Sequence, residues 1–256
     1  MKIIISPAKK MNIREDELEW ANLPCFLSRA EELKRYIQGL DLDQARKLWQ
    51  CNEKIALLNY GRFKEMDLER RLTPALLSYE GIQYQYMAPG VFEQGQWDYV
   101  QEHLRILSGF YGILKPLDGI VPYRLEMQAK VELPSGIKSL YDYWGSSICR
   151  ELAADETLIV NLASKEYSRA VEPYQEAHID YVTCVFGTLA EDGTGGLKVK
   201  VKATEAKMAR GEMVRFMAER GVRDAEGLKG FDRLGYRYCQ EKSGDKEYVF
   251  TKIREQ

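Results

Sequence analysis

Two apolar stretches of the sequence, residues 2–5 and 157–162, predict buried strands that each end in polar and basic side chains. Ligands commonly bind at the carboxyl edge of the sheet in α/β folds, where hydroxyl, amide and ammonium groups can hold a phosphate or a carboxylate. The alternative is that these are polar turns with solvated lysines, and that Ser164 is only a helix N-cap. The candidate ligand-binding residues at the two strand ends are Ser6, Lys9, Asn161, Ser164 and Lys165.

A glycine-containing turn lies between a predicted helix that ends near Leu107 and the pair Lys115-Pro116. Glycine permits a positive φ or a close backbone approach, so this turn can present amide N–H groups to an anion while basic side chains supply charge. The alternative is an ordinary loop whose apolar side chains pack inward. The candidate anion-binding residues here and in the segment that follows are Gly109, Tyr111, Gly112, Lys115, Tyr123 and Arg124.

A third group of basic residues is predicted on a strand over residues 197–202 and on the helix that follows it. The strand alternates lysine with apolar residues, which places three cations on one face. Because the whole chain carries a net charge of −2, a polyanion site must be a local patch of this kind. The alternative is that the lysines protect an edge strand against aggregation. The basic residues of the patch are Lys198, Lys200, Lys202, Lys207, Arg210 and Arg215.

Several classes of site find no support in the sequence. It contains no phosphate-binding loop, dinucleotide fingerprint, zinc motif or nucleophile elbow, so we expect no cofactor and name no catalytic residue. Two histidines and five scattered cysteines offer no metal-ligand spacing, so we expect no metal site. The cysteine pattern indicates a reducing, cytoplasmic setting, and no apolar run has the length of a membrane span.

The periodicity of the remaining sequence predicts a single mixed α/β domain over residues 1–256, with a mixed central sheet flanked by helices. Helical spacing covers residues 26–69, and Asp41 is a plausible N-cap within it. Further helices are expected over residues 97–107, 140–152 and 207–221. Strands are expected over residues 81–86 and 181–186, and a hairpin closes the carboxyl-terminal region.

Short blocks of the sequence resemble the YaaA family of bacterial peroxide stress resistance proteins, in that family's order and over nearly the whole chain. The longest block runs from Leu107-Ser-Gly-Phe-Tyr-Gly through Lys115-Pro-Leu-Asp118 to Pro122-Tyr-Arg-Leu-Glu-Met127. Lys10 departs from the pattern, since family members generally carry threonine there. The other blocks are Ile5-Ser-Pro-Ala-Lys9, Leu140-Tyr-Asp-Tyr-Trp-Gly145, Asn161-Leu-Ala-Ser-Lys-Glu-Tyr167, Ala206-Lys-Met-Ala-Arg-Gly211, Gly230-Phe-Asp232 and Gly235-Tyr236.

The resemblance implies the family's single-domain "cantaloupe" fold and a role in keeping intracellular iron low during peroxide stress. It also implies binding of double-stranded DNA through a helix-hairpin-helix-like element that lies beside a basic cleft. Residues 102–118 would form this element. The resemblance also adds Gly211 to the candidate site residues. The alternative is an enzyme that acts on a small anionic or nucleotide substrate in a pocket of Ser, Lys, Arg and Asn side chains. Direct binding of iron is disfavoured because the sequence offers no ligand constellation.

Overall fold

A computed structural model describes residues 1–14, 18–154, 156–191, 193 and 196–252. Its centre is a sheet of mixed direction, and shorter strand pairs lie beside it. Across the described residues the strands are β1 (Lys2–Ile5), β2 (Lys10–Met11), β3 (Thr73–Pro74), β4 (Tyr79–Glu80), β5 (Leu104–Ser108), β6 (Gly112–Leu114), β7 (Gly119–Ile120), β8 (Leu158–Leu162), β9 (Asp180–Glu191), β10 (Leu197–Lys200), β11 (Tyr236–Tyr238) and β12 (Glu247–Lys252).

The strand order of the main sheet is β11-β12-β9-β8-β1-β5-β6, and β10 pairs with β9. Strands β12, β9, β8, β1 and β5 run parallel, whereas β6, β10 and β11 are antiparallel to their neighbours. Strand β1 is central and almost wholly apolar, as expected for a parallel strand that is covered on both faces. The parallel register fixes one carboxyl edge, at which β1 and β8 end side by side.

The helices surround this sheet. Asp41 begins α2 with a capping box, as predicted, because its carboxylate accepts from the backbone N–H of Gln44 and the Gln44 side chain accepts in return from the N–H of Asp41. The helices of the described part of the chain are α1 (Leu27–Gln38), α2 (Leu42–Trp49), α3 (Glu53–Lys64), α4 (Ala75–Ser78), α5 (Ile82–Met87), α6 (Gln94–His103), α7 (Leu140–Trp144), α8 (Ser147–Ala153), α9 (Lys165–Ser168), α10 (Ala203–Arg220) and α11 (Ala225–Leu228).

The helix-hairpin-helix expected over residues 102–118 is wrong at that position. Helix α6 ends at His103, and the chain continues as two antiparallel strands, β5 and β6, in which Ser108 faces Gly112. Every residue of β5 is buried, including Arg105 and Ser108, so five residues show no periodicity that separates a buried strand from the end of a helix. The glycine turn therefore joins two strands of the sheet.

The strand expected over residues 81–86 is also wrong. Residues 82–87 form helix α5, which packs along α10. The alternation of glutamine and tyrosine in this segment is typical of a strand, but tertiary contact with α10 overrides that local preference. The helix predicted over residues 140–152 is divided into α7 and α8 at Gly145, whose φ of +49° ends the first of them.

Other predictions from periodicity are confirmed. Strands β1 and β8 lie within the predicted stretches, and β11 and β12 form the predicted antiparallel pair near the carboxyl-terminal end. Strands β9 and β10 cover the strands expected near residues 181–186 and 197–202, and between them residues 192, 194 and 195 lie outside the described part of the chain. One long helix, α10, carries the predicted basic residues beyond Lys202.

Helices α5 and α10 approach each other until their backbones touch at Gly211. A Cβ atom on Gly211 would overlap the carbonyl oxygen of Gln83 and would lie 2.9 Å from the backbone nitrogen of Met87. Because both obstacles are backbone atoms, rotation of a side chain cannot relieve the overlap. Gly211 therefore sets the distance between two helices that, as described below, form one wall of a cavity.

We predict that Gly211→Ala destabilises the protein by about 1 to 3 kcal/mol, because the added methyl group must push α5 away from α10. The measurement is the free energy of unfolding in urea. Gly61→Ala is the matched control, since Gly61 lies in helix α3 and a Cβ atom placed on it would have no other atom within 4 Å. The control should keep or raise stability, by up to about 1 kcal/mol, because alanine favours helix more than glycine does. Equal stability of both variants would contradict this account of the helix contact.

Candidate functional site

Ser6 and Ser164 meet at the carboxyl edge of the sheet. The parallel register aligns Ile5 of β1 with Leu162 of β8, so the turns that follow both strands are neighbours. The hydroxyl of Ser6 donates to the hydroxyl of Ser164 across 3.1 Å and accepts from the backbone N–H of Ser164 across 2.8 Å. The two candidate residues therefore form one polar unit. Each was predicted at a strand end, but their contact was not predicted.

Asn161 holds the turn that carries Ser164. Its Oδ1 accepts from the backbone N–H of Ala163 across 2.9 Å, and its Nδ2 donates to the hydroxyl of Thr183 on β9 across 3.2 Å. Both ends of the amide are thus engaged within the protein, and the side chain is buried. Asn161 positions the site instead of facing a ligand.

Arg124 enters the site on the segment that crosses over the β5–β6 turn. One terminal nitrogen, Nη2, bonds Oε1 of Glu126 across 2.8 Å, and Nζ of Lys9 reaches the same oxygen across 3.1 Å. One carboxylate is therefore shared by two cations. The Nε atom of Arg124 is buried without a hydrogen-bond partner among the described residues.

Lys207 and Arg210 project from α10 on the opposite side. They are three residues apart, so they share one helix face. The side chain of Arg210 forms no hydrogen bond or ion pair with any other described residue, and its Nε is buried. Burial lowers the pKa of the Arg210 guanidinium, which is the direction expected when a cation loses water without gaining a carboxylate.

These elements enclose a cavity of about 440 Å³ at the carboxyl edge. Seven residues predicted from the sequence line it: Ser6, Lys9, Tyr123, Arg124, Ser164, Lys207 and Arg210. Its lining includes five basic side chains and three carboxylates, so the lining has a formal charge of +2, whereas the whole chain has a net charge of −2. Burial raises the pKa of one of these carboxylates, Glu166, and the nearby Glu126 raises it further. The arrangement can hold an anion of small-molecule size.

The glycine turn supports the cavity without lining it. A Cβ on Gly109 would lie 2.5 Å from the carbonyl oxygen of Leu125, so glycine lets the segment of Arg124 lie directly on the turn. Gly112 has a φ of +76° and abuts the ring of Trp144. Tyr111 is fully buried, and its hydroxyl accepts from the backbone N–H of Val121. The geometry of this turn therefore does not support binding of an anion by its amide N–H groups.

A buried chain of hydroxyl groups ties the turn to the cavity wall. The hydroxyl of Tyr123 lies 2.6 Å from that of Ser108 and 2.7 Å from that of Tyr79. Ser108 in turn accepts from the backbone N–H groups of Phe110 and Tyr111. Tyr123 therefore presents its ring to the cavity and uses its hydroxyl within the protein, and burial raises its pKa to about 12.

Lys115 and Lys165 lie away from this cavity. Lys115 lines a second cavity of about 200 Å³, together with Arg105 and Asp118. Lys165 is exposed and pairs with Glu172 across 2.6 Å, so no pairing of Ser6 with Lys165 is formed. Lys165 does follow the end of β8, as predicted, but its side chain runs toward Glu172 and does not line the cavity.

Sequence reasoning missed several cavity residues. Glu126 and Glu166 belong to blocks of the sequence that were already singled out, and each lies within two residues of a predicted site residue. Gln83 was hidden because its segment was expected to be a strand. Its Nε2 is buried without a hydrogen-bond partner among the described residues.

Metal-ligating side chains do not cluster in the described part of the chain. No group of three or more His, Cys, Asp or Glu side chains there has a geometry that could hold a metal ion. The five cysteines are free thiols. Among the described residues, no helix has both the length and the apolar character needed to cross a membrane.

The sequence is similar to known bacterial proteins over nearly its whole length. The sequence model of the family described as peroxide stress protein YaaA matches residues 1–242. A UPF0246 protein of Desulfitobacterium hafniense is 55% identical over 252 residues, which are 98% of both chains. A UPF0246 protein of Agathobacter rectalis is 50% identical over 98% of this chain and 99% of its own.

The second cavity provides a test of the electrostatics beside Lys115. Burial raises the pKa of Asp118 to about 6 from an ordinary 3.8, although the backbone N–H of Lys115 donates to its carboxylate. The folded protein therefore holds this proton more tightly than the unfolded chain does. The resulting stabilisation is complete below the unfolded pKa and is lost as the pH rises through the folded pKa.

We predict that the stability of the wild type relative to Asp118→Asn falls by about 1 to 3 kcal/mol between about pH 4 and pH 7.5. The measurement is urea unfolding of both proteins across this range. Asp43→Asn is the control, because Asp43 is exposed on α2. A difference between wild type and Asp118→Asn that does not change with pH would refute the account.

Proposed function

Because the chain belongs to the family of peroxide stress protein YaaA, we propose that it serves the peroxide response by binding duplex DNA without sequence preference. The observation that carries this proposal is a set of four cations, two on β10 and two on α10, which we call the cation row. None of them has an ion-pair partner among the described residues. The row consists of Lys198, Lys200, Lys207 and Arg210.

The register of the sheet brings this row to the cavity. Strand β12 lies on one side of β9 and pairs with it as far as Thr188. On the other side of β9, Thr188 pairs with Lys200 of β10. That other side is the one on which β8 pairs with the beginning of β9. Strand β10 therefore lies in line with β8, beyond its carboxyl end, at the edge where Ser164 stands.

The strand geometry suits a repeating anion. Lys198 and Lys200 are both exposed and lie on one face of β10, about 7 Å apart at the usual rise per residue. Two other residues of the predicted patch are neutralised locally, since Lys202 pairs with Glu205 and Arg215 pairs with Glu219. The patch is thus smaller than the sequence indicated, and it extends in one direction.

Binding through such a row addresses phosphates and not bases. Lysine ammonium groups neutralise backbone charge and release counterions, which gives affinity with little information about sequence. This mode suits a protein that protects DNA wherever damage arises. It also requires no helix-hairpin-helix, which the structure lacks at residues 102–118.

We propose that the protein acts in the cytoplasm and that its effect on intracellular iron is indirect. Peroxide reacts with thiolates, but burial raises the pKa of Cys51 and Cys149 and raises that of Cys184 to about 12. These thiols stay protonated near neutral pH and are poor targets for peroxide. Thiol chemistry with peroxide is therefore disfavoured at these three cysteines.

A second candidate function is that of an enzyme acting on a small anionic or nucleotide substrate. The observation that favours it is the half-open cavity with its net positive lining and the paired hydroxyls of Ser6 and Ser164. The two functions differ in the residues they require. Duplex binding needs the exposed lysines of β10, whereas a small ligand needs the interior of the cavity.

We predict that the protein binds a short fluorescent duplex with steep salt dependence, and that Lys198→Gln/Lys200→Gln lowers the slope of log affinity against log salt by about 2. Each phosphate contact contributes about 0.9 to that slope. The measurement is fluorescence anisotropy, titrated at several salt concentrations with duplexes of unrelated sequence.

The control for duplex binding is Lys54→Gln/Lys64→Gln. It removes the same charge from exposed positions on α3. This variant should lose less than one unit of slope. Absence of duplex binding by the wild type at low salt, or equal losses in both double variants, would overturn the proposed function.

A further inference from the structure

The cavity at the carboxyl edge has features that binding of a long polyanion does not use. Its volume of about 440 Å³ falls within the range of pockets that enclose small molecules. Apolar and aromatic groups line one part of it, among them Ile82, Tyr84 and Leu125. A surface that binds only backbone phosphates requires neither a concave cavity nor an apolar wall.

Three buried side-chain N–H groups of the cavity lining have no acceptor among the described residues. They belong to Nε2 of Gln83, Nε of Arg124 and Nε of Arg210. A buried donor without an acceptor costs free energy, so most such groups in proteins are paired. Three buried donors without an acceptor thus lie around one cavity, although Glu80, Glu126 and Glu166 also line it.

The terminal nitrogens of Arg210 complete this set of donors. Arg210 makes no hydrogen bond with a described residue, and only its Nε is fully buried. Its two Nη atoms are therefore accessible, and the residue lines the cavity. A guanidinium fork with both ends open matches two oxygens of one phosphate or carboxylate. Arg124 uses only Nη2 on Glu126 and so offers its second terminal nitrogen.

The charge of the lining favours a dianion over a monoanion. Lys10 is neutralised by Glu80, and Lys9 and Arg124 share Glu126. The lining as a whole keeps a formal charge of +2. A monocarboxylate would leave half of this charge unbalanced, whereas the dianion of a phosphate monoester would balance it.

We propose that the cavity binds a small phosphate monoester of nucleotide size, with Arg210 and Arg124 on the phosphate oxygens and the organic part against Tyr84 and Ile82. The hydroxyl of Ser164 lies at the same edge, next to that of Ser6, and is placed to donate to the phosphate. This site is separate from the lysines of β10 and does not rest on duplex binding.

The test is isothermal titration of the full chain with inorganic phosphate, the four common nucleoside monophosphates, ribose 5-phosphate and adenosine. At least one monoester should bind more tightly than inorganic phosphate, and adenosine should not bind. Arg210→Gln should weaken binding of that ester by about tenfold or more, because a charge-assisted bidentate contact is lost. The matched control is Arg215→Gln, on the same helix, whose partner is Glu219, and it should bind as the wild type does.

A second readout separates ligand binding from a structural role. A buried cation without a counterion destabilises the protein that carries it, so ligand-free Arg210→Gln should unfold at the same temperature as the wild type or higher. The ester should raise the unfolding temperature of the wild type and not that of the variant. Lys207→Gln, at an exposed position, should also weaken ester binding and guards against misfolding of Arg210→Gln.

Three outcomes would overturn this proposal. One is that no monoester binds at millimolar concentration, and another is that inorganic phosphate binds as tightly as every ester. The third is that Arg210→Gln binds the ester as the wild type does. Loss of duplex binding by Arg210→Gln without any ester binding would assign Arg210 to the DNA backbone, which overturns the small-ligand site and leaves the proposed function standing.

Discussion

The contact between α5 and α10 at Gly211 is the constraint on which the site depends. Two helix backbones in direct contact have no adjustable layer of side chains between them, so the residues beside the contact are fixed in position. Gln83 on α5 and Arg210 on α10 flank it, and both carry buried nitrogens without acceptors among the described residues. The close packing thus keeps these polar nitrogens buried, whereas water would reach them if the two helices separated.

The cost of burying these groups must be met elsewhere in the fold. The parallel strands β1 and β8 are almost entirely buried, and together with β5 they form the apolar centre of the sheet. Burial of apolar surface is the dominant favourable term in folding, so a wide core can sustain a few unsatisfied donors. Unsatisfied groups that persist in a stable fold commonly mark a functional site.

The strand ends could be predicted from the sequence because parallel strands impose a simple geometry. A short β-branched run followed by a serine identified β1, and a similar run identified β8. The meeting of Ser6 with Ser164 depends on the pairing of these two strands, which was not predicted. The assignments of α5 and β5 failed for one shared reason. Both segments take their conformation from the neighbours they pack against, and periodicity over six residues does not contain that information.

The electrostatic character of the site could be predicted only in part. The sequence showed where basic residues cluster, but pairing decides which of them act as free charges. Lys202 pairs with Glu205 three residues away, but Lys252 reaches the same carboxylate from β12, far along the chain. Arg210 has no such partner among the described residues. Charge pairing across distant elements is a property of the fold and cannot be predicted from spacing along the chain.

The two proposed binding surfaces share the same edge of the sheet, so each acts on the electrostatic potential of the other. Charges within about 8 Å interact across physiological salt, and partly buried ones are screened less. Lys207 belongs both to the cation row and to the cavity lining. An anion in the cavity neutralises the +2 of its lining and thereby weakens the attraction of the row for a polyanion. In a chain of net charge −2, both proposals therefore depend on the same few cations that have no ion-pair partner among the described residues.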